Sequence, residues 1–353
     1  LIKQEQGLNE EAIEFFLQVL DLNPEHNDAK YNTAVPQNSY YSIGILKLQL
    51  GCFREGWEYF EYRWKVPQFS SVKAPFPDKP VWKGEKGKRV VLWKEQGIGD
   101  QIMFQSLMRE VKKMCSSLSI YVDPRLQDLC KRAMPEINFV KDLEELQDVE
   151  CDYHLPLGSV PGLIRNDISD FDRTAKGYLK ADPQRVESIR NELKLEDKMV
   201  VGISWISFKS LNQSKKSIRL RDMEKIFSGL DIVLVNLQYG DVEDEIREFK
   251  EVTGIDIVQC ASVDNREDLD GLAALIEVCD IVISITNITV HMAGALAKET
   301  WVLLPYVPNF WWLLERNDSL WYPSSTLYRQ PALDDWDSVY ASIRKDLEIR
   351  LQY

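Results

Sequence analysis

Histidine is scarce in this sequence, and closely spaced cysteine is absent. Only three of the 353 residues are histidine, and none of the six cysteines belongs to a C-x-x-C pair. A Cys/His zinc site needs such ligands at short spacing, so we expect no zinc module, no resident metal and no cofactor. The apolar or amphipathic surroundings of the cysteines favour buried, reduced thiols over disulfides. They are Cys52, Cys115, Cys130, Cys151, Cys260 and Cys279.

Long apolar runs and an excess of positive charge are lacking too. No stretch approaches the ~20 apolar residues of a membrane-spanning helix, and no basic-then-apolar leader stands at the start. The net charge of −13 argues against a nucleic-acid partner, which usually meets a basic domain. We therefore expect a cytoplasmic protein without a transmembrane segment. Its 44% hydrophobic and 28% charged residues are typical of globular chains with two or three domains.

The first 66 residues have the pattern of helices. An apolar residue recurs every three or four positions in "GLNEEAIEFFLQVLDLNP", and "LGCFREGWEYFEYRWKVP" repeats the plan 44 residues later. The spacing of Gly7, Ala12, Phe16 and Pro24 resembles the second helix of the tetratricopeptide repeat. That repeat has a period of ~34, so about ten residues are inserted, around 27–36. An ordinary helical hairpin is the alternative.

Strand and helix patterns alternate over the rest of the chain. Residues 67–88 are rich in Pro, Lys and Gly and are predicted to be a linker, pinned by Trp82. Two cycles of short apolar runs and amphipathic stretches follow, over 89–183 and 184–330. Each predicts a Rossmann-like domain with a parallel sheet. A closing helix is predicted over 331–353, returning toward the N-terminal domain.

A glycine-rich turn follows the first strand, in "VVLWKEQGIGDQIMF". Ligands of open α/β sheets bind at this carboxyl edge, and a carboxylate there can take a proton from an acceptor hydroxyl. Three alternatives stay open for the turn: this catalytic role, a carboxylate that only caps the helix, and a dinucleotide fingerprint. Ile102 replaces the third glycine of that fingerprint, and Asp123 would have to serve as its ribose-binding acid. The residues of the turn are Gln96, Gly97, Gly99 and Asp100.

A second candidate site opens the helix in "ISITNITVHMAGALA". Asn287 and Thr289 are suitable N-cap residues, and the helix start would point free N–H groups at a phosphate, with Val290 beside them. His291 lies in the first turn and could donate to an anion. A histidine that merely satisfies the core is the alternative.

Two loops complete the predicted nucleotide site. Lys209, Lys215, Lys216 and Arg219 cluster after a strand in "SWISFKSLNQSKKSIRL". They form either a solvated loop or a mobile basic cover for a phosphate site. Gln238 and Tyr239, at the end of another strand, could hold a base or ribose, although a plain loop is the alternative.

Several motifs in order resemble bacterial tetratricopeptide-repeat proteins with a C-terminal glycosyltransferase domain. The motifs are "EQGIGDQIMF", "ITVHMAGALAKETWVLLP", "DSLWYPSSTLYRQ" and "DW". That domain is similar to the ADP-heptose:lipopolysaccharide heptosyltransferases and, remotely, to the O-GlcNAc transferases. The resemblance implies an α/β GT-B fold, two Rossmann-like domains facing a cleft, preceded by a helical tetratricopeptide-like segment.

The resemblance also implies roles for single residues. Asp100 matches the base of the heptosyltransferases, Thr289 to His291 their phosphate loop, and Lys216 their phosphate-binding lysine. Thr286 or Asn287 stands where they have an aspartate, which argues for a donor other than ADP-heptose.

The predicted function is an inverting, metal-independent glycosyltransferase. It would move a sugar from a nucleotide-sugar donor to a hydroxyl of a protein or glycan, with the tetratricopeptide-like helices as an acceptor-binding element. The alternative is a repeat-bearing scaffold with an inactive transferase domain.

Overall fold

The computed structural model describes residues 6–21, 35–70, 72–174, 176–195, 197–208 and 217–352. The chain divides into two compact units, each with its own sheet, and neither is one continuous stretch. The first comprises Leu1–Asp123, Glu136–Arg173 and Val307–Arg316, and the second comprises Pro124–Pro135, Thr174–Tyr306 and Asn317–Tyr353. The predicted boundaries near 183 and 330 stay predictions.

The first unit begins with helices, as the amphipathic pattern predicts. They are α1 (Asn9–Asp21), α2 (Val35–Gln49), α3 (Phe53–Phe60), a 3-10 helix (Glu61–Lys65) and α4 (Pro67–Ser70). Helix α3 buries one face, including Trp57 and Phe60. Two glycines let α2 and α3 approach closely: a Cβ on Gly44 would lie 2.7 Å from the Phe60 backbone, and one on Gly56 would lie 2.7 Å from Leu48. The assignment of this segment as tetratricopeptide repeats stays a prediction, and most of its expected insertion lies outside the described residues.

The sheet of the first unit has four parallel strands in the order β3-β2-β1-β4. They are β1 (Arg89–Trp93), β2 (Ser117–Tyr121), β3 (Asn138–Val140) and β4 (Tyr153–Pro156). Val91 at the centre pairs with Ser119 on one side and His154 on the other. Trp82 is buried, and its backbone N–H donates to the His154 carbonyl. The predicted pinning of the linker by Trp82 is therefore confirmed.

Short helices complete the first unit, in which strongly apolar parallel strands need both faces covered. They are α5 (Ile98–Gln105), α6 (Met108–Met114), α8 (Leu143–Gln147), α9 (Pro161–Ile164) and 3-10 turns at Leu157–Ser159, Ile168–Asp170 and Phe310–Trp312. The last of these comes from the far end of the sequence. Its Phe310 packs edge-on against Trp57, with ring centroids 5.8 Å apart, and against Phe60.

The sheet of the second unit has six parallel strands in the order β10-β9-β8-β5-β6-β7. They are β5 (Met199–Ser204), β6 (Ile232–Asn236), β7 (Ile257–Val258), β8 (Ile281–Ile285), β9 (Thr300–Leu304) and β10 (Ser325–Arg329). The helices of this unit are α7 (Gln127–Ala133), α10 (Pro183–Leu193), α11 (Glu224–Phe227), α12 (Glu243–Thr253), α13 (Leu269–Val278), α14 (Ile288–Ala295) and α15 (Trp336–Arg350), with 3-10 turns at Pro124–Leu126 and Leu220–Met223. Asp268 caps α13 by accepting from Gly271.

One expectation is wrong and another stays a prediction. The closing helix α15 packs into its own unit: Val339, Ile343 and Leu347 lie in the core of the second unit, and Arg344 donates to the Ser228 carbonyl. Its expected return toward the N-terminal domain stays a prediction. Cys52 is exposed, because it precedes α3 on the surface, whereas the other five cysteines are buried and all six are free thiols. Within the described ranges, no helix is both long and apolar enough to cross a membrane.

Candidate active site

Each sheet has a point where strand order reverses, and each candidate site lies at the carboxyl edge of such a point. In the first sheet, β1 has β2 on one side and β4 on the other. In the second sheet, β5 has β6 on one side and β8 on the other. Crevices for ligands form at these switch points because the connections leave in opposite directions. The predicted residues of the glycine-rich turn and of the phosphate helix thus lie at the expected edges.

The glycine-rich turn leads directly into α5. Gly97 is the N-cap residue, and its carbonyl accepts from the Gln101 backbone N–H at 3.0 Å. Asp100 is the third residue of the helix and therefore not its N-cap. Its side chain is partly exposed. A carboxylate in a first helical turn is stabilised by the helix dipole. A Cβ on Gly97 would lie 3.3 Å from the Asp100 Oδ2, so glycine gives this carboxylate room.

The rest of the turn is fixed by Gln101. Its Nε2 donates to the Gln96 carbonyl at 3.0 Å, and its Oε1 accepts from the Asp123 backbone N–H at 2.8 Å. Ile102, at the place of the third fingerprint glycine, is fully buried. In the dinucleotide fingerprint, glycine at this position allows the helix to pack closely against the strand. A buried isoleucine prevents that close packing, which argues against the dinucleotide alternative.

A buried carboxylate that we did not single out in the sequence lies beside this turn. The Glu95 side chain is fully buried and accepts from the Gly158 backbone N–H at 3.0 Å, across the switch point from β1 to β4. It also accepts from the Arg63 guanidinium at 3.2 Å. Burial, with a smaller contribution from the negative charge of Asp100, raises the pKa of Glu95 to about 7 against the opposing effects of Arg63 and Gly158. A glutamate directly after a strand, inside the motif "EQGIGD", was the available signal.

The helical segment supplies the other groups around this carboxylate. Arg63 is fully buried, and its second guanidinium arm donates to the Glu61 carboxylate at 2.6 Å. It also donates to the Ser159 hydroxyl at 2.6 Å. Tyr41 of α2 is buried near Asp100. Burial and, to a smaller extent, the negative charge of Asp100 raise the pKa of the Tyr41 phenol to about 12.

The phosphate helix α14 begins at a network of neutral hydrogen bonds. Asn287 is its N-cap, and its Oδ1 accepts from the Thr289 backbone N–H at 3.0 Å. Its Nδ2 donates to the Ser204 hydroxyl at 2.6 Å and to the Ile206 carbonyl at 3.1 Å. Thr289 in turn donates from its hydroxyl to the Leu237 carbonyl at 3.2 Å. The N-terminus of α14 is therefore locked to the ends of β5 and β6.

His291 and Val290 are buried in the first turn of α14. The Nδ1 of His291 lies 2.7 Å from the Tyr322 hydroxyl. The Tyr322 ring rests against Gly294, where a Cβ would lie 2.4 Å from it. If Nδ1 accepts from the phenol, the imidazole is the tautomer with its proton on Nε2, which is the donor that a phosphate needs.

Gln238 is a positioning residue in this structure. Its Oε1 accepts from the Ser204 hydroxyl and from the backbone N–H groups of Trp205 and Ile206, at 2.8 to 2.9 Å. Its Nε2 donates to the carbonyls of Ile206 and Tyr239. A direct contact between this amide and a nucleotide would break those bonds. The Tyr239 hydroxyl accepts from the Phe208 backbone N–H at 3.2 Å.

The basic loop is described only at its ends. Lys209, Lys215 and Lys216 lie outside the described residues, so their predicted role stays a prediction. Arg219 is exposed and forms an ion pair with Asp222 at 2.9 Å. Among the described side chains, no group of three or more His, Cys, Asp or Glu residues is arranged to hold a metal ion.

Comparisons with known proteins bear on the fold. No family model matches the sequence. Protein FlbA of Caulobacter vibrioides is 28% identical over 317 residues, which is 84% of this chain but 52% of that protein. The match thus spans about half the length of this curated relative.

Two solved glycosyltransferases have a similar structure. The family 9 glycosyltransferase of Veillonella parvula matches with a TM-score of 0.52 and 12% identity, over 77% of this chain and 99% of that one. The ADP-heptose lipopolysaccharide heptosyltransferase II of E. coli matches with a TM-score of 0.51 and 14% identity, over 75% and 98%. This chain therefore has the α/β, GT-B-like fold of these glycosyltransferases.

Proposed function

We propose that the chain is an inverting, metal-independent glycosyltransferase that takes its sugar from a nucleotide-sugar donor. One observation supports this most: a glycine-rich turn with Asp100 and a capped phosphate helix with His291 stand at the switch points of two separate parallel sheets. Both solved proteins with this fold are glycosyltransferases by their names.

The proposed reaction uses both sites on one pair of substrates. Asp100 accepts the proton of the acceptor hydroxyl, whose oxygen attacks the anomeric carbon of the donor. The bond from that carbon to the diphosphate oxygen breaks, and its electron pair leaves with the diphosphate. The N–H groups at the start of α14, His291 and Lys216 hold the developing charge without a metal.

The acceptor and location are extensions of the same proposal. We propose a hydroxyl of a protein or glycan as acceptor, bound with help from the tetratricopeptide-like helices, in the cytoplasm. The aspartate that the heptosyltransferases place before the phosphate loop is replaced here by Thr286 or Asn287. Asn287 is committed to Ser204, Ile206 and Thr289 and carries no charge, so it does not replace this aspartate. A donor other than ADP-heptose is therefore favoured.

Titration calorimetry with UDP, GDP, ADP and CMP in EDTA tests the donor half of the proposal. We expect one nucleotide to bind with the metal removed, and Lys216→Ala to weaken it by ~1–3 kcal/mol as a charge-assisted contact is lost. Lys345→Ala, on the exposed face of α15, is the matched control. Binding that requires a divalent metal would reject the mechanism. Folded protein that binds none of the nucleotides would favour the alternative of an inactive scaffold.

A further inference from the structure

The cluster around Glu95 contains more ionisable groups than the proposed reaction uses. Carboxylate and guanidinium groups are almost never fully buried unless they are paired, because desolvation is costly. Here Glu95 and Arg63 are both fully buried and lie 3.2 Å apart. A buried pair of this kind is weak evidence for stability, so its place beside the glycine-rich turn calls for another explanation.

The surroundings are shaped to keep the Glu95 carboxylate where it is. A Cβ on Gly158 would lie 2.3 Å from the Glu95 Oε1 and 3.4 Å from the Gln96 side chain, so any larger residue at 158 would displace the Glu95 carboxylate. The Gly158 backbone N–H points at the same oxygen. The loop after β4 thus forms a cradle for a carboxylate that leaves β1 two residues after its end.

Arg63 brings the helical segment into this cradle. Its guanidinium lies over the rings of Phe60 and Trp64, 4.8 and 4.5 Å from their centroids. Its donors reach Glu61, Glu95 and Ser159. The residues before the sheet therefore help to build the acceptor site, in addition to any role as repeats.

We propose that Glu95, anchored by Arg63, is a positioning residue of the acceptor site that acts through Asp100. It fixes the start of the glycine-rich turn, and its negative charge strengthens Asp100 as a base. The inference rests on the proposed function of Asp100. The charged or titratable groups that act on Glu95 are Arg63 and Asp100. Arg63 also pairs with Glu61, and Asp100 also acts on Tyr41.

The charge interaction between Glu95 and Asp100 runs both ways. The pKa of Glu95 is raised partly by the charge of Asp100, and a coupling between two titrating groups acts on both of them. When Glu95 ionises as the pH rises through neutrality, it adds a negative charge close to Asp100. The proton affinity of Asp100 then increases, which favours removal of the proton from the acceptor.

Carboxyl NMR tests the coupling without any ligand. Protein labelled with 13C at the aspartate carboxyl carbons is titrated from pH 4 to 9, and Asp100→Asn identifies the signal of Asp100. In the wild-type protein we expect the Asp100 signal to show a second inflection near neutral pH. The inflection should be absent in Glu95→Gln and should move to higher pH in Arg63→Lys. Arg165→Lys is the matched control, because Arg165 is also buried in the first unit but pairs with Glu110, away from the turn.

An unchanged inflection in Glu95→Gln would overturn the inference. With a donor identified by calorimetry, Glu95→Gln should lower kcat about tenfold at pH 8 with little change in the donor KM, because the base and not the donor site is affected. Gly158→Ala should act in the same direction by displacing the carboxylate. A normal kcat in both variants would also overturn the inference. A coupled titration in a wild-type protein without turnover would instead contradict the proposed function.

Discussion

The two switch points are held together by different chemistry. In the first unit the bridge from β1 to β4 is charged and consists of Glu95, Arg63 and the Gly158 N–H. In the second unit the bridge from β5 to β8 is neutral and centres on Asn287 and Gln238, which bind Ser204 and nearby backbone. A site that transfers a proton needs groups that titrate, whereas a site that binds an anion can use fixed dipoles. The variants below test this division.

The largest effect is expected at Asp100, beside the charged bridge. Asp100→Asn should lower turnover by ~10²–10⁴-fold, since it removes the proposed base. Nucleoside diphosphate affinity should not change, since the proposed donor site lies in the second unit. Single-turnover rates and calorimetry measure the two quantities. A variant that loses both in parallel would show that the division is wrong.

A substitution in the neutral bridge should lower both the unfolding free energy and the affinity for the donor nucleotide. Asn287→Ala removes an N-cap and leaves Ser204 and the Ile206 carbonyl without their amide partner, so we expect a loss of about 2–4 kcal/mol in unfolding free energy. Nucleotide affinity should fall as well. Asp335→Ala is the control: it removes the cap of α15, whose side chain accepts from Ser338, and should cost ~1 kcal/mol. Equal nucleotide affinity in the two variants would contradict the role of α14.

The charged bridge should also make stability depend on pH. The native state keeps a proton on Glu95 up to about pH 7, whereas the unfolded chain loses it near 4.5. Wild-type stability therefore falls as the pH rises between these values. Glutamine has no such proton to lose, so the stability of Glu95→Gln relative to wild type should rise from pH 5 to pH 8, by roughly 2–3 kcal/mol at about 1.4 kcal/mol per pKa unit.

Urea unfolding at both pH values measures that difference. The loss of the ion pair between Arg63 and Glu95 adds a nearly constant difference, and Arg63 keeps its partner Glu61 in the variant. Asp142→Asn, at the exposed cap of α8, serves as the control and should show no relative gain over this range. A pH-independent difference for Glu95→Gln would show that Glu95 titrates normally.

The smallest effect concerns the hydroxyl behind His291. Tyr322→Phe keeps the ring on Gly294 and removes the group 2.7 Å from the His291 Nδ1. We expect diphosphate binding to weaken by about 0.5–1.5 kcal/mol, the usual value of one hydrogen bond. Tyr328→Phe, whose hydroxyl donates to Asp346 in the same unit, should leave binding unchanged. Equal affinities in these two variants would limit Tyr322 to packing.

The sequence was sufficient to predict nine of the ten described strands, because buried parallel strands appear as short apolar runs such as "RVVLW" and "DIVISI". Strand β10 was not predicted, because its sequence is only partly apolar and Thr326 is exposed. Local signals were also sufficient for the glycine-rich turn and for Asn287 as an N-cap, since a cap depends on residues within one helical turn. The same holds for Trp82, which was expected to pin the linker.

Pairings across long sequence distances were not predictable in this way. The contact between Arg63 and Glu95, and the bond from Asn287 to Ser204, exist only because the sheets bring separate segments together. Gln238 was expected to contact a nucleotide because polar residues at strand ends often bind ligands; its amide binds the neighbouring loop, and a nucleotide contact there stays a prediction. The core that receives α15 was not predictable either: its apolar face lies in the core of the second unit, and sequence periodicity does not say which core receives a helix.

Phe310 has a consequence for the way in which the chain is made. It fills the space beside Trp57 and Phe60 in the first unit, but it lies about 130 residues after Arg173, the last earlier residue of that unit. At a synthesis rate of ~5–20 residues per second, the ribosome needs on the order of ten seconds to cover this interval. Until then Trp57 and Phe60 contact each other but not Phe310, so the aromatic core of the first unit is completed only after most of the second unit has been synthesised.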